Sequence, residues 1–408
     1  MPRLLIVLLS LVLILGACAP ARSQAQDSDF TAWLAALETE ARGKGISQAT
    51  LDSAFAGLQE PIGQVLELDR RQPEFRLSFW RYMGNAVTEE RVELGRAYLA
   101  AHRELLDRVE AQYGVQKRFL VAFWGLETNY GSNFGSYPVI HALATLAYDP
   151  RRDDFFRAEL LHALEIIDKG HIDAGQMQGS WAGAMGHLQF MPSTFAAYAV
   201  DGDGDGRRDI WGSLPDVFAS AANFLSSLGW NGQETWGREV QLPGGFDYSL
   251  VSIETFPETR KPLSAWASLG VRAADDSALP YGEQLAALLL PGGHEGPAFL
   301  VYENYRHTLN WNRSILYAIA VGHLADRLTG APPLAAQPPL EEARVSTEDI
   351  KTMQSLLNRL GFDAGAPDGK VGPLTRTAIR DFQRSRDLPA DAFPSASLLS
   401  NLRRAAGQ

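Results

Sequence analysis

The sequence predicts a mainly α (α+β) protein, in which a large helical unit carries a small mixed insertion and is followed by a compact helical module. Apolar residues recur at helical spacing from Phe30 to about Leu228, and helical spacing returns in 313–328 and again in 345–404. Short β-prone segments broken by Pro and Gly occupy 233–300. A composition of 46% hydrophobic residues in a chain of 408 provides for several packed cores.

The first 17 residues have the features of a secretory signal peptide, with basic Arg3, an apolar stretch and small residues before Cys18. The tetrapeptide LGAC at 15–18 resembles the lipobox of bacterial lipoproteins, and Cys18 is the only cysteine. This resemblance implies a lipid anchor on Cys18, a periplasmic location and, with Ala19 next, the outer membrane. The alternative is an incidental cysteine in an ordinary signal peptide. The small polar residues of 18–29 predict a flexible tether.

The stretch AFWGLETNYG, residues 122–131, places the carboxylate of Glu127 at the end of an apolar run. Loss of hydration disfavours the charged form, so we expect a raised pKa for Glu127, as a general acid at neutral pH requires. The alternative is a solvated glutamate at a helix end, which is the common case. The segment GSWAGAMGHLQFMPSTF at 179–195 combines Gly183 and Gly186, which permit close backbone approach, with Gln189 and a helix start at Pro192.

Three segments together resemble the membrane-bound lytic murein transglycosylase B family: WGLETNYG, GSWAGAMGHLQFMPSTFAAYAVDGDGDG and YENYRHTLNWNRSILYA. The resemblance covers about 30–328 and implies a lysozyme-like catalytic core with an α subdomain and the mixed subdomain at 233–300. It also implies cleavage of the β-1,4 bond between N-acetylmuramic acid and N-acetylglucosamine without water, leaving a 1,6-anhydromuramoyl end. Glu127 would then be the single general acid and base, and no cofactor would be required.

Two other functions stay open. A muramidase that uses water needs a second acid facing the site, for which Asp149, Asp153 and Asp154 are the candidates. The other is a non-catalytic peptidoglycan-binding lipoprotein that acts as a scaffold.

The resemblance also implies sugar contacts from polar and aromatic side chains. The matching residues are Tyr82, Ser180, Gln189, Met191, Asn312 and Tyr317. For Tyr82, Tyr317 and Met191 the alternative is ordinary core packing. Where relatives often carry Tyr after the Asn of the ANF segment, this chain has Phe224, so a hydroxyl contact is missing there.

The segment DGDGDG at 201–206 predicts a calcium loop, because Asp201, Asp203 and Asp205 alternate as they do at the start of an EF-hand loop. Position twelve is Gly212 rather than Glu. The resembled family carries a longer variant of this loop, which implies Asp216 as the closing ligand and the Arg207 carbonyl as another. An acidic solvated turn is the alternative. We expect any bound Ca²⁺ to stiffen the loop.

The proline-rich segment 329–344 reads as a semi-stiff linker. Beyond it, 345–404 resembles the peptidoglycan-binding type 1 domain, a module of three helices, through MQSLLNRLGFDAG and PDGKVGPLTRTAIRDFQ. Peptidoglycan glycan strands are therefore the predicted partner, and cell-wall synthesis or divisome proteins are candidate protein partners. A net charge of −11 without a Lys/Arg run argues against nucleic acid.

Overall fold

The computed structural model describes residues 21–71, 78–150, 153–252, 260–280, 282–339 and 345–408. Cys18 and the predicted signal peptide 1–17 lie outside the described residues. The prediction of a mainly α (α+β) fold is confirmed. The helices in chain order are α1 (Ala21–Gly43), α2 (Gln48–Ala54), α3 (Gly63–Arg71), α4 (Phe79–Ala86), α5 (Glu89–Ala101), α6 (Arg103–Tyr113), α7 (Lys117–Thr128), α8 (Val139–Tyr148), α9 (Asp153–Asp168), α10 (Pro192–Tyr198), α11 (Leu214–Ser227), α12 (Leu263–Ser268), α13 (Glu303–Trp311), α14 (Ile315–Leu328), α15 (Thr347–Arg359), α16 (Pro373–Ser385) and α17 (Ala396–Ala405). The strands are β1 (Tyr137–Pro138), β2 (Gln178–Gly179), β3 (Gly237–Gln241), β4 (Lys261–Pro262), β5 (Arg272–Ala273), β6 (Leu285–Leu289) and β7 (Ala298–Val301).

Helices α7 and α14 pack against each other at the centre of the largest core. Every residue of α7 from Phe119 to Gly125 is buried, and α14 is buried continuously from Tyr317 to Ala325. A helix that is apolar on all sides is stable only when other elements surround it. Here α5, α6 and α11 cover α7, and α4, α5 and α13 cover α14. The end of α7, where Glu127 lies, is therefore held by a rigid frame.

The mixed subdomain contains a five-stranded antiparallel sheet in the order β4-β6-β7-β3-β5. It has its own apolar core, in which Trp266 of α12 is the largest side chain. Strand β7 is buried along its whole length and leads directly into α13. The sheet thus sets the position at which α13 returns to the large helical core.

The C-terminal module consists of α15, α16 and α17 around a separate apolar core. Ser346 and Asp349 form a capping box at the start of α15, and Pro373 occupies the first turn of α16. The module touches the sheet subdomain through buried Asp391. One oxygen of this carboxylate accepts hydrogen bonds from the backbone N–H and from Nδ1 of His294, at 2.8 and 2.7 Å.

Two predicted connections differ from the structure. Helix α1 begins at Ala21, so most of the segment 18–29 predicted as a flexible tether is helical. Its Ala, Arg and Gln residues favour helix intrinsically, although they offer no apolar stripe. In the linker, the backbone N–H groups of Ala335 and Ala336 donate to the carboxylate of Glu239 on β3, at 2.7 and 2.8 Å. The first part of the linker is thus attached to the sheet.

None of the helices among the described residues has the length and apolarity needed to cross a bilayer.

Candidate active site

Glu127 lies in the last turn of α7 and is half-buried. The chain reverses immediately after it, because Asn129, Tyr130 and Gly131 all adopt positive φ angles of 48°, 59° and 82°. The ring of Tyr130 folds back under Gly125, where an added Cβ would lie 2.7 Å from the ring. The Tyr130 hydroxyl then donates to the Arg91 carbonyl at 2.8 Å. Only glycine at position 125 leaves room for this reversal, which keeps Glu127 at the surface of the core.

Two donors meet the same oxygen of Glu127. The indole Nε1 of Trp311 donates to Oε1 at 2.9 Å, and the Tyr317 hydroxyl donates to Oε1 in a short hydrogen bond. Burial is the main cause of a raised pKa for Tyr317, and the charge of Glu127 raises it further. Tyr317 therefore stays a neutral phenol and a hydrogen-bond donor at working pH.

Trp311 is the functional candidate that the sequence analysis missed. Its ring stacks on Phe123 with centroids 4.4 Å apart and lies 5.2 Å from the rings of both Phe190 and Phe224. A buried indole normally has a partner for its N–H. Trp311 is therefore expected to have a hydrogen-bond acceptor, but the acceptor, Glu127, lies 184 positions away in sequence.

The end of α7 is joined to the loop that carries Gln189. Thr128 Oγ1 donates to the His187 carbonyl at 3.0 Å, and Trp124 Nε1 donates to His187 Nδ1 at 2.7 Å. Burial lowers the pKa of His187 to about 4, so the imidazole is neutral near pH 7. The His187 ring has to be neutral in this arrangement, because its Nδ1 accepts the hydrogen bond from Trp124 Nε1. Glu127 and the loop therefore form one rigid unit.

Ser180 and Gln189 occupy the two ends of this folded loop. The Ser180 hydroxyl oxygen accepts from the backbone N–H of Ala184 at 3.0 Å and of Ala182 at 3.3 Å. Gln189 has a strained φ of 49°, and its Nε2 donates to the carbonyls of Phe134 and Gly186, each at 3.1 Å. The Ser180 O–H and the Gln189 Oε1 are thus the side-chain groups of these two residues that remain available to a ligand.

The other predicted contact residues lie around the same site in different settings. Tyr82 of α4 is half-buried and close enough to Tyr317 to raise its pKa. Met191 is half-buried at the N-cap of α10, next to Phe190. Asn312 is exposed between α13 and α14, where its Oδ1 accepts from the Ser314 backbone N–H at 3.0 Å. Tyr317, also predicted to contact sugar, donates its hydroxyl to Glu127.

The candidates for a second acid lie on other elements. Asp149 caps the C-terminus of α8 and Asp154 lies in the first turn of α9, and these two helices pack on each other. The side chain of Asp153 is outside the described residues. Helix α13, through Trp311, and helix α14, through Tyr317, both reach Glu127 with a hydrogen bond.

The acidic loop brings together three of its predicted ligands. One carboxylate oxygen from each of Asp201, Asp203 and Asp205 lies within 4.8 Å of the others, and all three residues are exposed. Backbone N–H groups, chiefly that of Gly206, lower the pKa of Asp201. Converging charged oxygens of this kind suit a hard cation such as Ca²⁺.

Asp216 and Arg207 have other surroundings. Asp216 is 0% exposed. Its Oδ1 accepts from the N–H groups of Gly202 and Asp203 at 2.7 and 3.3 Å, and its Oδ2 from that of Asp209 at 2.6 Å. Burial raises the pKa of Asp216. Asp216 therefore holds the loop from beneath, apart from the three exposed carboxylates. The Arg207 guanidinium donates to the His171 carbonyl at 2.9 Å.

Comparison with known proteins gives two family matches. Residues 29–326 match the Transglycosylase SLT domain, and residues 346–400 match a peptidoglycan binding domain. Among curated proteins, the membrane-bound lytic murein transglycosylase B of Escherichia coli (strain K12) is 31% identical over 250 residues, which is 60% of this chain. The chain spans 65% of the length of that relative.

Solved structures show the same similarity. The crystal structure of SltB3 from Pseudomonas aeruginosa in complex with NAG-anhNAM-pentapeptide is 47% identical and has a TM-score of 0.87, covering 92% of this chain and 99% of that one. A second SltB3 structure, with NAG-NAM-pentapeptide, gives the same values. The Escherichia coli lytic transglycosylase Slt35 in complex with calcium is 27% identical with a TM-score of 0.60, covering 74% of this chain and 92% of that one.

Proposed function

Because the chain belongs to the Transglycosylase SLT domain family, we propose that it is a peptidoglycan lytic transglycosylase. Its substrate is the β-1,4 bond between N-acetylmuramic acid and N-acetylglucosamine, and its products carry 1,6-anhydromuramoyl ends. The observation that supports this mechanism most directly is the setting of Glu127: one carboxyl group, fixed through Oε1 by Trp311 and Tyr317. A single oriented carboxyl is sufficient when the nucleophile belongs to the substrate.

The reaction uses Glu127 twice. In the first step the neutral carboxyl gives its proton to the glycosidic oxygen as the bond from C1 of the muramic acid breaks. The acetamido group of the substrate stabilises the anomeric carbon. In the second step the Glu127 carboxylate takes the proton of the C6 hydroxyl while O6 bonds to C1. The acid is restored, and no water enters the product.

The contact residues proposed for the sugar chain are Tyr82, Ser180, Gln189, Met191, Asn312 and Tyr317. The Ser180 hydroxyl and the Gln189 amide oxygen are the polar groups suited to an N-acetyl group, since they supply one donor and one acceptor. The ligands named for SltB3 are both disaccharides with a pentapeptide. They support a peptidoglycan strand with its peptide as the substrate class for this chain.

The fate of solvent oxygen tests the reaction type. We expect digestion of purified sacculi in water enriched in the heavy oxygen isotope to give products without heavy oxygen at the muramic acid C1, because O6 of the sugar is the nucleophile. Mass spectrometry of the muropeptides measures this directly, with lysozyme digestion as the labelled control. Products carrying the heavy isotope would instead establish the hydrolytic muramidase, and the absence of any product would leave the scaffold function.

The C-terminal module gives the enzyme a second contact with the wall. A binding module tethered to the catalytic unit raises the effective concentration of a polymeric substrate. We propose that residues 346–400 bind peptidoglycan glycan strands and keep the catalytic unit on the sacculus. A pull-down of the isolated chain with insoluble sacculi measures this, and a chain that stays in the supernatant would refute it.

We also propose a structural Ca²⁺ held by Asp201, Asp203 and Asp205, with the Arg207 carbonyl as a further ligand. The loop fits the ion because three exposed carboxylates converge while backbone N–H groups and buried Asp216 keep the loop shape. The name of the Slt35 structure, which records calcium, is consistent with this. The three carboxylates lie on a loop separate from Glu127, so the ion would stabilise the fold and take no part in the proton transfers.

The proposed location is the bacterial periplasm, with a lipid anchor on Cys18 to the outer membrane. The lipobox resemblance at 15–18 supports the anchor, and the name of the curated relative, a membrane-bound enzyme, agrees with it. We expect Cys18→Ser to release the protein from the membrane fraction and to abolish incorporation of labelled palmitate. Membrane association that survives in Cys18→Ser would contradict the anchor.

A further inference from the structure

The guanidinium of Arg91 joins two parts of the candidate active site. Arg91 lies in the first turn of α5 and is half-buried. Its Nη1 donates to the carbonyl of Asn85 at 3.0 Å and, in a short hydrogen bond, to that of Ala86. Its Nε donates to Oδ1 of Asn129 at 3.2 Å. One planar side chain therefore connects the end of α4 to the turn that follows Glu127.

At the α4 end, the guanidinium binds carbonyl groups that a helix cannot satisfy by itself. The last four carbonyls of an α-helix have no N–H partner within the helix, and the negative end of the helix dipole favours a cation there. In α4 the carbonyls of Asn85 and Ala86 accept from Arg91 instead. Tyr82, a proposed sugar contact, lies one turn earlier on the same helix. The Arg91 contact therefore helps to fix the position of Tyr82.

At the other end, the contact with Asn129 lies two residues after Glu127. Asn129 caps α7 with a φ of 48°, and its Nδ2 donates to Ser132 Oγ at 3.1 Å. The backbone carbonyl of Arg91 separately accepts from the Tyr130 hydroxyl at 2.8 Å. A substitution of the Arg91 side chain leaves this backbone carbonyl in place. Such a substitution would therefore cut the link between α4 and the turn without releasing the turn from α5.

We propose that Arg91 is a positioning residue that holds α4, and with it Tyr82, at a fixed distance from Glu127. This role rests on the proposed function, in which Tyr82 contacts the sugar chain and Glu127 is the acid and base. Arg91 acts through α4 and does not itself contact the sugar. Trp311 and Tyr317 bind Glu127 from other helices. We therefore expect the guanidinium to affect binding of the glycan strand rather than the proton transfers.

The first measurement separates KM from kcat in Arg91→Met, with soluble glycan strands of peptidoglycan as substrate. We expect KM to rise about 10-fold, the size of one lost hydrogen bond from a charged group, while kcat changes by less than about 3-fold. The reason is that a displaced binding group is lost equally from the ground state and the transition state. A fall in kcat at unchanged KM would contradict the proposed role.

A double-mutant cycle tests whether Arg91 acts through Tyr82. Tyr82→Ala removes the proposed sugar contact, so the guanidinium would then have no contact to position. We expect Arg91→Met to lower kcat/KM about 10-fold in the wild-type background and less than about 2-fold in the Tyr82→Ala background. A purely structural role would give the same factor in both backgrounds, and that result would overturn the proposal.

A second variant cuts the same link from its other end and guards against misfolding of Arg91→Met. Asn129→Gly removes the Oδ1 acceptor, and glycine adopts the positive φ of this position without strain. The contacts of Arg91 with the end of α4 are left intact. Asn129→Gly should therefore fold and should also raise KM while kcat stays near the wild-type value.

The matched control is Arg96→Met. Arg96 also lies on α5, and its Nε and Nη2 donate to the Arg327 carbonyl at 3.2 and 2.7 Å. That carbonyl belongs to the last turn of α14, at the opposite end of the helix from Tyr317. The control thus removes a guanidinium from another helix C-terminus. It should lower the melting temperature and keep the wild-type KM.

The outcomes separate this inference from the proposed function. A wild-type KM in both Arg91→Met and Asn129→Gly would overturn the role of Arg91. A wild-type KM in Tyr82→Ala would overturn it as well, since no sugar contact would be left to position. Either result would leave Glu127 as the acid, provided that Glu127→Gln is inactive. If Glu127→Gln keeps its activity, the proposed function itself fails and the inference fails with it.

Discussion

Glu127→Gln is expected to lower the rate of sacculus digestion by at least about 1,000-fold while the protein stays folded. General acid and base catalysis contributes about 100- to 10,000-fold for one proton transfer, and Glu127 serves both transfers. Glutamine has the same shape, and its amide oxygen can still accept from Trp311 and Tyr317. It cannot give a proton to the glycosidic oxygen at neutral pH. Release of soluble muropeptides from labelled sacculi measures the loss.

Two further measurements make this result specific. Binding to insoluble sacculi should be retained in Glu127→Gln, because the C-terminal module is untouched. Glu93→Gln is the matched control, since Glu93 is an exposed glutamate of α5 and the substitution removes the same charge. The control should digest sacculi at the wild-type rate. Comparable digestion by Glu127→Gln and wild type would exclude Glu127 as the acid.

The location of Glu127 was predictable because the apolar run before it is continuous. Residues from Phe119 to Gly125 are buried on all sides of α7, and a charged residue directly after such a run is necessarily at the edge of the core. The same local reasoning predicts the capping box at Ser346 and Asp349 and the helix start at Pro373. These features depend on residues within one or two turns of each other.

The partners of Glu127 were not predictable in the same way. Trp311 meets it only because β7 and α13 bring the chain back against α7, and no local pattern encodes that approach. Tyr317 was expected to contact sugar, and its contact with Glu127 depends on the packing of α14 against α7. Hydrogen bonds between residues distant in sequence follow from the assembled core.

Asp216 illustrates a third case, in which residue type and spacing indicate a ligand but burial gives the residue another role. Spacing from DGDGDG implies a closing carboxylate, and Asp216 is the nearest later acid. In the fold its two oxygens instead accept three backbone N–H groups. A sequence pattern indicates which residues are near one another, whereas the direction of each carboxylate depends on the loop conformation.

The acidic loop provides the second large effect. We expect millimolar Ca²⁺ to raise the melting temperature of the wild-type protein, because an ion that binds only the folded state stabilises it by about 2.7 kcal/mol at 100 times its dissociation constant. Asp203→Asn combined with Asp205→Asn should abolish this rise. Both substitutions keep an oxygen that can accept the Asp205 and Arg207 backbone N–H groups, so the loop shape is preserved. Differential scanning calorimetry with chelator or with Ca²⁺ measures the change.

Charge repulsion predicts the direction in which the melting temperature of the double variant differs from wild type, and a general loss of stability would not reproduce that direction. Without Ca²⁺ the three exposed carboxylates repel one another, so the double variant should melt at or slightly above the wild-type temperature in chelator. With Ca²⁺ the wild-type protein should have the higher melting temperature. Asp275→Asn combined with Asp276→Asn removes two exposed charges from another turn and should keep the full response to Ca²⁺. A wild-type melting temperature that is the same in chelator and in millimolar Ca²⁺ would rule out the metal site. The repulsion among Asp201, Asp203 and Asp205 would then be offset by the backbone N–H groups alone.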